Sequence, residues 1–337
     1  MNEINHQVRL AARPVGLPKP SDWQYTEEPV TEPGEGEVLV RVQLISLDPA
    51  MRGWMNDARS YIAPVGIGEV MRALVAGEVL ASNHPKVAVG DHVTGPLGVQ
   101  EYAVVHGDAV TKVDTSLAPL PVYMSTLGMT GMTAYFGLLD IGKPQPGETV
   151  VVSGAAGAVG GVAGQIAKLH GCHTVGIAGG QEKCEYAVQE LGFDAAIDYK
   201  TQDVAAGLHK ECPQGIDIYF DNVGGEILDA ALAQLARHAR VIVCGAISQY
   251  NATGPMRGPS NYMSLLVNHA SMTGFVVFDY ADRYAEGLRE MAGWFAEGKL
   301  TSCEDIAEGG VQKFPETLMR LFEGQNTGKL LLKIADV

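Results

Sequence analysis

The run Val150-Val151-Val152-Ser153-Gly154-Ala155-Ala156-Gly157-Ala158-Val159-Gly160-Gly161 passes from an apolar, β-branched segment into a small-residue helical one. A turn of this kind does one sort of chemistry. It lets a phosphate approach bare backbone N–H groups at a helix N-terminus, where the helix dipole favours negative charge. Gly157 permits the close approach, Gly160 permits tight helix packing, and Ala158 and Val159 lie between them in the first turn. The usual first glycine is Ala155, so the pattern is A-x-G-x-x-G. Alone that is a weak signal, and a glycine-rich turn with no ligand has the same letters. No G-K-[ST] follows, which disfavours a nucleoside triphosphate.

A dinucleotide site that takes NAD usually carries an acid about 20 residues beyond the turn, bonded to the ribose 2′-OH. Here that stretch reads Ile177-Ala178-Gly179-Gly180-Gln181-Glu182-Lys183. Gly179 and its neighbour are small and neutral, and Lys183 offers a cation for a 2′-phosphate. Tyr199 follows the next strand and can cover the adenine side. These residues point to NADP rather than NAD. A solvated lysine at a helix start is the bland reading of Lys183, and Glu182 counts mildly against an anion. Two further apolar segments end in chemistry-bearing loops, Asp221-Asn222-Val223-Gly224-Gly225 and Cys244-Gly245-Ala246-Ile247-Ser248-Gln249-Tyr250. Ligands of open α/β sheets bind beyond the carboxyl ends of the strands. Asn222, Cys244, Gly245, Ala246, Ile247, Ser248 and Tyr250 are therefore candidates for the nicotinamide half. A turn residue and a small buried thiol are the plain alternatives for Asn222 and Cys244.

The elements that must position these groups are legible on either side. Apolar stretches at 149–152, 174–177, 195–197, 216–220, 240–243 and 272–278 read as six strands. Helical patterns at 162–169, 182–191 and 226–236 separate several of them, stopped at Gly171 and Gly192. This alternation predicts an α/β fold, a Rossmann-type doubly wound parallel sheet. Before residue 127 the chain reads as β-rich, with strands at 38–45, 73–80, 91–94 and 100–105 set off by Gly77, Gly90, Gly95 and Gly98. Pro18 and Pro20 mark loops. The tail adds helices at 284–296 and 316–322 and a strand at 330–334.

Composition narrows the function classes. The 337 residues carry 24 Lys plus Arg against 39 Asp plus Glu, a formal charge of −15, which argues against a nucleic-acid or polybasic membrane-surface binder. The 41 glycines are an excess, and they concentrate the interest on turns. Five cysteines, Cys172, Cys184, Cys212, Cys244 and Cys303, show no C-x-x-C spacing and read as reduced thiols. His84, His92, His106, His170 and His173 have no ligand-like spacing with them, so no metal is expected. No G-x-S-x-G marks a hydrolase. No apolar run reaches a membrane span, and residues 1–7 lack a basic stretch followed by an apolar one. The chain is expected to be cytoplasmic.

Taken together, these motifs resemble the medium-chain dehydrogenase/reductases. They are most similar to the zinc-independent branch of prostaglandin reductases, leukotriene B4 dehydrogenases, double-bond reductases and curcumin reductases. The resemblance rests on the turn and loops above, on Ser46-Leu47-Asp48-Pro49-Ala50-Met51-Arg52-Gly53, on Val89-Gly90-Asp91-His92-Val93, on Leu127-Gly128-Met129-Thr130-Gly131-Met132-Thr133-Ala134-Tyr135 and on Asn326-Thr327-Gly328-Lys329. It spans nearly the whole chain. It implies a GroES-like β-rich substrate domain over 1–125, completed by 300–337, and a Rossmann NADP-binding domain over 126–299. It implies NADPH, no metal, a homodimer, and hydride transfer to the β-carbon of an α,β-unsaturated ketone or aldehyde. It adds Thr130, Phe275, Val276, Val277 and Asn326 to the cofactor contacts. It sets Tyr250 beside the nicotinamide ribose hydroxyl, as a hydrogen-bond donor to the enolate oxygen or as a contact to the cofactor alone. Zinc-dependent relatives carry ligands near Asp48 and near Ala76-Gly77-Glu78, and both positions lack them here. Many members read Asp-Pro-Tyr-Met-Arg where this chain has Ala50, so a pocket tyrosine is missing. A quinone reductase and a catalytically idle NADPH-binding protein remain as alternatives.

Overall fold

The computed structural model describes residues 3–336. Residues 1–2 and 337, at the two extremes of the expected first domain, lie outside the described residues. The chain divides into two compact units, Met1–Met124 with Glu304–Val337, and Ser125–Cys303.

In chain order the first unit begins with strands β1 (Ile4–Leu10), β2 (Trp23–Pro29) and β3 (Glu37–Ser46), then a short helix α1 (Met51–Trp54). Strands β4 (Val75–Ser82), β5 (His92–Gly95), β6 (Tyr102–His106) and β7 (Thr111–Val113) and helix α2 (Leu120–Tyr123) follow. The second unit runs α3 (Met129–Phe136), β8 (Thr149–Ser153), α4 (Ala158–Leu169), β9 (His173–Ala178), α5 (Gln181–Gln189), β10 (Ala195–Asp198), α6 (Val204–Glu211) and β11 (Ile216–Asp221). It continues with α7 (Gly225–Leu232), β12 (Leu235–Val243), α8 (Met263–Val267), β13 (Ser271–Gly274) and α9 (Tyr284–Ala296). The tail returns to the first unit as β14 (Glu304–Ala307), α10 (Phe314–Phe322) and β15 (Lys329–Lys333).

The first unit is a seven-stranded sheet in the order β14-β15-β3-β4-β5-β7, with β6 on β3, beside an antiparallel hairpin of β1 and β2. Only β14 and β15 pair in parallel among these strands. The core is aliphatic, from Val8, Leu10, Val40, Ile45 and Val75 to Leu318 and Leu332, with Trp23 set edge-on against Phe314 at 5.5 Å. The β1–β2 hairpin is absent from the sequence reading because β1 is short of apolar residues: His6 interrupts the face of Ile4, Val8 and Leu10, and Asn5, Gln7 and Arg9 make the other face polar. Their polar ends are satisfied by tertiary partners instead. Asn5 Nδ2 donates to Gln100 Oε1 and to the Tyr102 carbonyl, and Arg9 donates to Gln7, Thr26 and Glu28.

The second unit holds six parallel strands in the order β10-β9-β8-β11-β12-β13. Counted by appearance this is 3-2-1-4-5-6, the doubly wound order with its switch point between β8 and β11. Val150, Val151, Val175, Ile177, Ile218, Tyr219, Phe220 and Val241 are fully or nearly fully buried, as a sheet covered on both faces requires.

Two expected elements are corrected. The sixth strand stops at Gly274 instead of 278, and a 3-10 segment occupies Val277–Arg283. Pairing ends at Val243 with Gly274, because β12 leaves the sheet there for the 244–250 loop. Phe275 and Val276 are apolar yet pair with no strand among the described residues. The helix expected over 226–236 ends at Leu232, and β12 starts five residues before the expected strand, at Leu235. The register of β11 on β12 shifts between Ile216 and Ile218, and His238 adopts a positive φ of 65°, so the early part of β12 is irregular and lacks the usual apolar pattern.

Candidate cofactor-binding and active site

Eighteen of the nineteen expected cofactor residues, all but Asn326, lie in the second unit. They cluster at the carboxyl ends of β8, β9, β10, β11 and β12 and in the segments that follow β13 and open α3. The turn after β8 reverses direction at Gly154, whose φ is +63°. The left-handed residue is thus one position before Ala155, a role the motif letters do not reveal. Ala155 is fully buried, and it fits where a glycine is usual because Gly176 opposite has no side chain. A Cβ on Gly176 would lie 2.8 Å from the Ala155 methyl. Gly160 is required by the turn itself, since a Cβ there would come 2.3 Å from the Gly154 carbonyl oxygen. Gly157 caps α4, leaving the Ala158, Val159 and Gly160 amides in the first turn, where no helical carbonyl can reach them. Amides left open in this way at a helix N-terminus can hold a phosphate group.

The end of β9 is equally close-set. A Cβ on Gly179 would meet the Tyr199 ring at 2.7–2.8 Å, so the tyrosine lies directly against the glycine. Gly180, at φ +103°, caps α5, whose first turn carries Lys183. The acid at this corner is Asp198, at the end of β10, and the sequence reading passed over it. Its Oδ1 accepts the Gly180 N–H at 2.7 Å and the Lys200 N–H at 3.0 Å, and its Oδ2 accepts the Thr201 hydroxyl. The Gly180 bond, more than the others, holds the Asp198 carboxyl below its ordinary range against the opposing effect of burial. Asp198 therefore fixes the Gly179–Gly180 turn and is already committed to donors of the protein.

Between β8 and β11 a buried polar network organises the switch point. Asp221 Oδ1 accepts from Ser153 Oγ, Tyr219 Oη, Val223 N and Gly224 N at 3.0–3.1 Å, while its Oδ2 is buried with no hydrogen-bond partner. Burial pushes the Asp221 carboxyl up, and the Gly224 and Val223 amides lead the donors that pull it down. The Asp221 carbonyl accepts the Cys244 and Gly245 amides, the Asn222 carbonyl accepts the Ile247 amide, and Val223 O accepts both the amide and the hydroxyl of Ser248. The 244–250 loop is thereby hung from the end of β11. At its end the Tyr250 hydroxyl oxygen accepts the Ala246 N–H at 3.2 Å. The Cys244 thiol is pushed up to about 12 by burial, with Asp221 adding, and is no thiolate at neutral pH. Ser153 and Asp221 escaped the sequence reading; the one available signal was an acid and a hydroxyl closing two adjacent apolar strands.

The remaining expected contacts are placed as follows. Thr130 lies in the first turn of α3, its hydroxyl donating to the Ser125 carbonyl. Phe275 is half-buried against Tyr280 and lies where a Cβ on Gly137 would sit, while Val277 is buried. Asn326 belongs to the first unit and donates to the Gly328 carbonyl.

Residues 6–113 match the family model described as the N-terminal domain of oxidoreductase, and 158–293 that of zinc-binding dehydrogenase. The NADPH-dependent curcumin reductase of Escherichia coli is 45% identical over 336 residues, covering 98% of this chain and 97% of that protein. The chain belongs to the medium-chain dehydrogenase/reductase family. Its relatives include the 2-alkenal reductase (NADP(+)-dependent) of Nicotiana tabacum, 39% identical over 98% of both chains. The crystal structure of CurA in complex with NADPH from Vibrio vulnificus superposes with a TM-score of 0.93 at 43% identity, covering 98% of this chain and all of that one.

In this medium-chain dehydrogenase/reductase Asp48 and Glu78, near which the resemblance expects the ligands of zinc-dependent relatives, have partners within the protein. Asp48 accepts from the buried Lys329 ammonium at 2.6 Å and from Ser46 Oγ, and Glu78 pairs with Arg41 at 2.8 Å. Gly77 lies where a Cβ would come 2.2 Å from the Arg41 carbonyl, so β3 and β4 touch backbone to backbone there.

Proposed function

We propose that this protein is an NADPH-dependent reductase of the carbon–carbon double bond in α,β-unsaturated ketones and aldehydes. The observation that carries the reading is the Tyr250 hydroxyl, held by the Ala246 amide on a loop hung from the switch point of a dinucleotide-type sheet. Membership of a family whose members include NADPH-dependent curcumin and alkenal reductases supports it. NADPH, when bound, supplies the hydride. The amides of Ala158, Val159 and Gly160 hold its pyrophosphate, and Gly157 allows the approach. Gly179, Lys183 and Tyr199 take the adenine ribose and its 2′-phosphate. Asn222, the residues from Cys244 to Ser248, Thr130, Phe275, Val276 and Val277 orient the nicotinamide half.

Reduction at the β-carbon leaves negative charge on the substrate's carbonyl oxygen. A donor fixed where that charge develops lowers the barrier. Tyr250 has this role in our reading. Because its oxygen already accepts the Ala246 N–H, its own O–H is polarised into a stronger donor. The α-carbon proton then comes from water or through Tyr250. The chemistry is metal-free: the Lys329 ammonium beside Asp48 opposes a divalent cation there.

The protein works as a homodimer in the cytoplasm. Strand β13 is an edge of the six-stranded sheet, its residues are exposed, and Leu266 and Val267 beside it are about 70% exposed. An edge of this kind needs a partner strand or cover. No helix among the described residues is long and apolar enough to cross a membrane. All five cysteines are free thiols, as in a reducing compartment.

The experiment is NADPH oxidation across a panel of enals, enones and quinones, with identification of the products. Saturated ketones or aldehydes are expected. Turnover of quinones alone would replace this reading with a quinone reductase. Tight NADPH binding with no turnover would make the protein an idle binder.

A further inference from the structure

The histidines looked unrelated to any metal when compared with the cysteines in sequence. Folding of the first unit brings two of them to one carboxylate. His84 stands in the turn between β4 and β5, His106 ends β6, and Asp108 lies two residues beyond it. His84 Nε2 is 3.3 Å from Asp108 Oδ1, and His106 Nδ1 is 3.5 Å from Asp108 Oδ2. One ligand atom from each of the three residues lies within 4.8 Å of the others. A tetrahedral zinc with bonds of 2.0–2.1 Å has edges of about 3.3 Å; the two nitrogen–oxygen separations are close to that, though they fall on different oxygens of Asp108, and ring rotation must draw the set together.

The site is built rather than accidental. The His84 side chain is only 7% exposed and forms the floor, while His106 and Asp108 open to solvent. Gly107 makes the floor possible, since a Cβ there would strike the His84 ring at 2.4 Å. Gly36 does the same for His106, at 2.9 Å from Nε2. The rings of His84 and His106 meet edge to face at 5.6 Å. The proton pattern is the more telling observation. His106 Nδ1 accepts the Asp108 N–H at 3.3 Å, so this nitrogen carries no proton, and it lies 3.5 Å from Asp108 Oδ2. A cation held by both would replace that long hydrogen bond. His84 Nδ1 likewise accepts the Lys86 N–H, a long bond of 3.3 Å. Metal at Nε2 moves the ring proton to Nδ1 and gives up that bond, a modest cost.

We propose that His84, His106 and Asp108 form a site for a borderline divalent transition metal, zinc first, with water completing the shell. Two imidazoles and one carboxylate suit zinc, cobalt, nickel and copper, and disfavour calcium and magnesium. The metal staples the turn after β4 to the end of β6. None of the three residues is among those assigned to the cofactor.

The test uses the full chain stripped by a chelator, titrated with zinc chloride by calorimetry and with cobalt chloride by absorption. One metal per chain is expected, with a rise of a few degrees in thermal midpoint at about a hundredfold excess over Kd. Asp108→Asn and His106→Gln alter exposed side chains and should preserve the fold while weakening zinc roughly tenfold or more. His84→Gln should do the same if it folds. No binding at millimolar zinc, or binding of equal strength in wild type, Asp108→Asn and His106→Gln, overturns the proposal. The second result would assign the metal to the thiols instead.

Discussion

Asn222 and Ser153 are joined twice. The Asn222 N–H donates to Ser153 Oγ at 2.9 Å, and its Nδ2 donates to the Ser153 carbonyl at 2.8 Å. Ser153 Oγ in turn donates to Asp221 at 3.0 Å. The carboxyl ends of β8 and β11 are thereby locked at the switch point, and the loop bearing Tyr250 inherits that rigidity through Val223 and Ser248. A site that must place a donor within a fraction of an ångström needs such a frame.

Tyr250→Phe is expected to lower kcat while leaving NADPH affinity nearly intact. The ring still fills its place, and the lost hydroxyl matters only as charge develops on the substrate oxygen. Removing one such donor costs roughly 10²-fold where it acts alone. The loss here should be smaller if the cofactor's ribose hydroxyl supplies a second donor. Steady-state kinetics on a simple enone beside an NADPH titration decides it. An unchanged kcat would make Tyr250 a cofactor contact.

Lys183→Ala should weaken NADPH by roughly ten- to a hundredfold, the worth of a hydrogen bond to a charged group, and NADH hardly at all. Fluorescence titration with both cofactors reads the ratio. Equal losses would take the 2′-phosphate away from Lys183.

Gly179→Ala should displace the Tyr199 ring, because the new methyl would sit 2.7 Å from its hydroxyl. Tyr199 is 45% exposed and its ring can swing out, so stability should change little while NADPH binding weakens. Combining the change with Tyr199→Ala removes the clash, and the two effects should be strongly non-additive. Simple additivity in a binding cycle would mean that the tyrosine plays no part at Gly179.

Asp198 and Asp221 should leave opposite marks on stability against pH. The Gly180 amide, ahead of its other partners, depresses the folded Asp198 value. Its stabilisation is complete above the unfolded carboxylate value of about 3.9 and is lost as pH falls through the lower folded value. Burial raises the folded Asp221 value, so that residue costs stability at neutral pH and the cost is relieved as pH falls through the raised value. Asp198→Asn should therefore be destabilising at neutral pH and converge on wild type in acid. Asp221→Asn should compare best with wild type at neutral pH and worse in acid. Urea unfolding at several values between about pH 3 and 7 tests both signs; parallel profiles would refute them.

Met272→Lys, on the exposed edge strand β13, should convert the proposed dimer to monomer in sedimentation. A wild-type protein that is monomeric at micromolar concentration would remove the dimer altogether.

The doubly wound sheet was legible in the chain because buried parallel strands are continuous apolar runs and their helices end at glycines. The helix of Tyr284–Ala296 was readable to the residue, and the turn from β8 into α4 by its glycines. What the linear chain determined, then, is whatever depends on neighbours in sequence: period, turn chemistry, the order of strands and helices. Tertiary structure decided the rest. Strand β13 is four residues long because its partner β12 leaves the sheet, a fact recorded elsewhere in the chain than in its own apolar run. In β1 the buried Asn5 is satisfied by Gln100 and Tyr102, almost a hundred residues away. Ala155 is tolerated because of Gly176, and Asp198 and Asp221 serve through donors supplied by other turns and strands. The pairing of His84 with His106 around Asp108 likewise exists only once β3, β4 and β6 are side by side. Each of these depends on distance in space, and spacing along a chain does not carry that information across a parallel or long-range pairing.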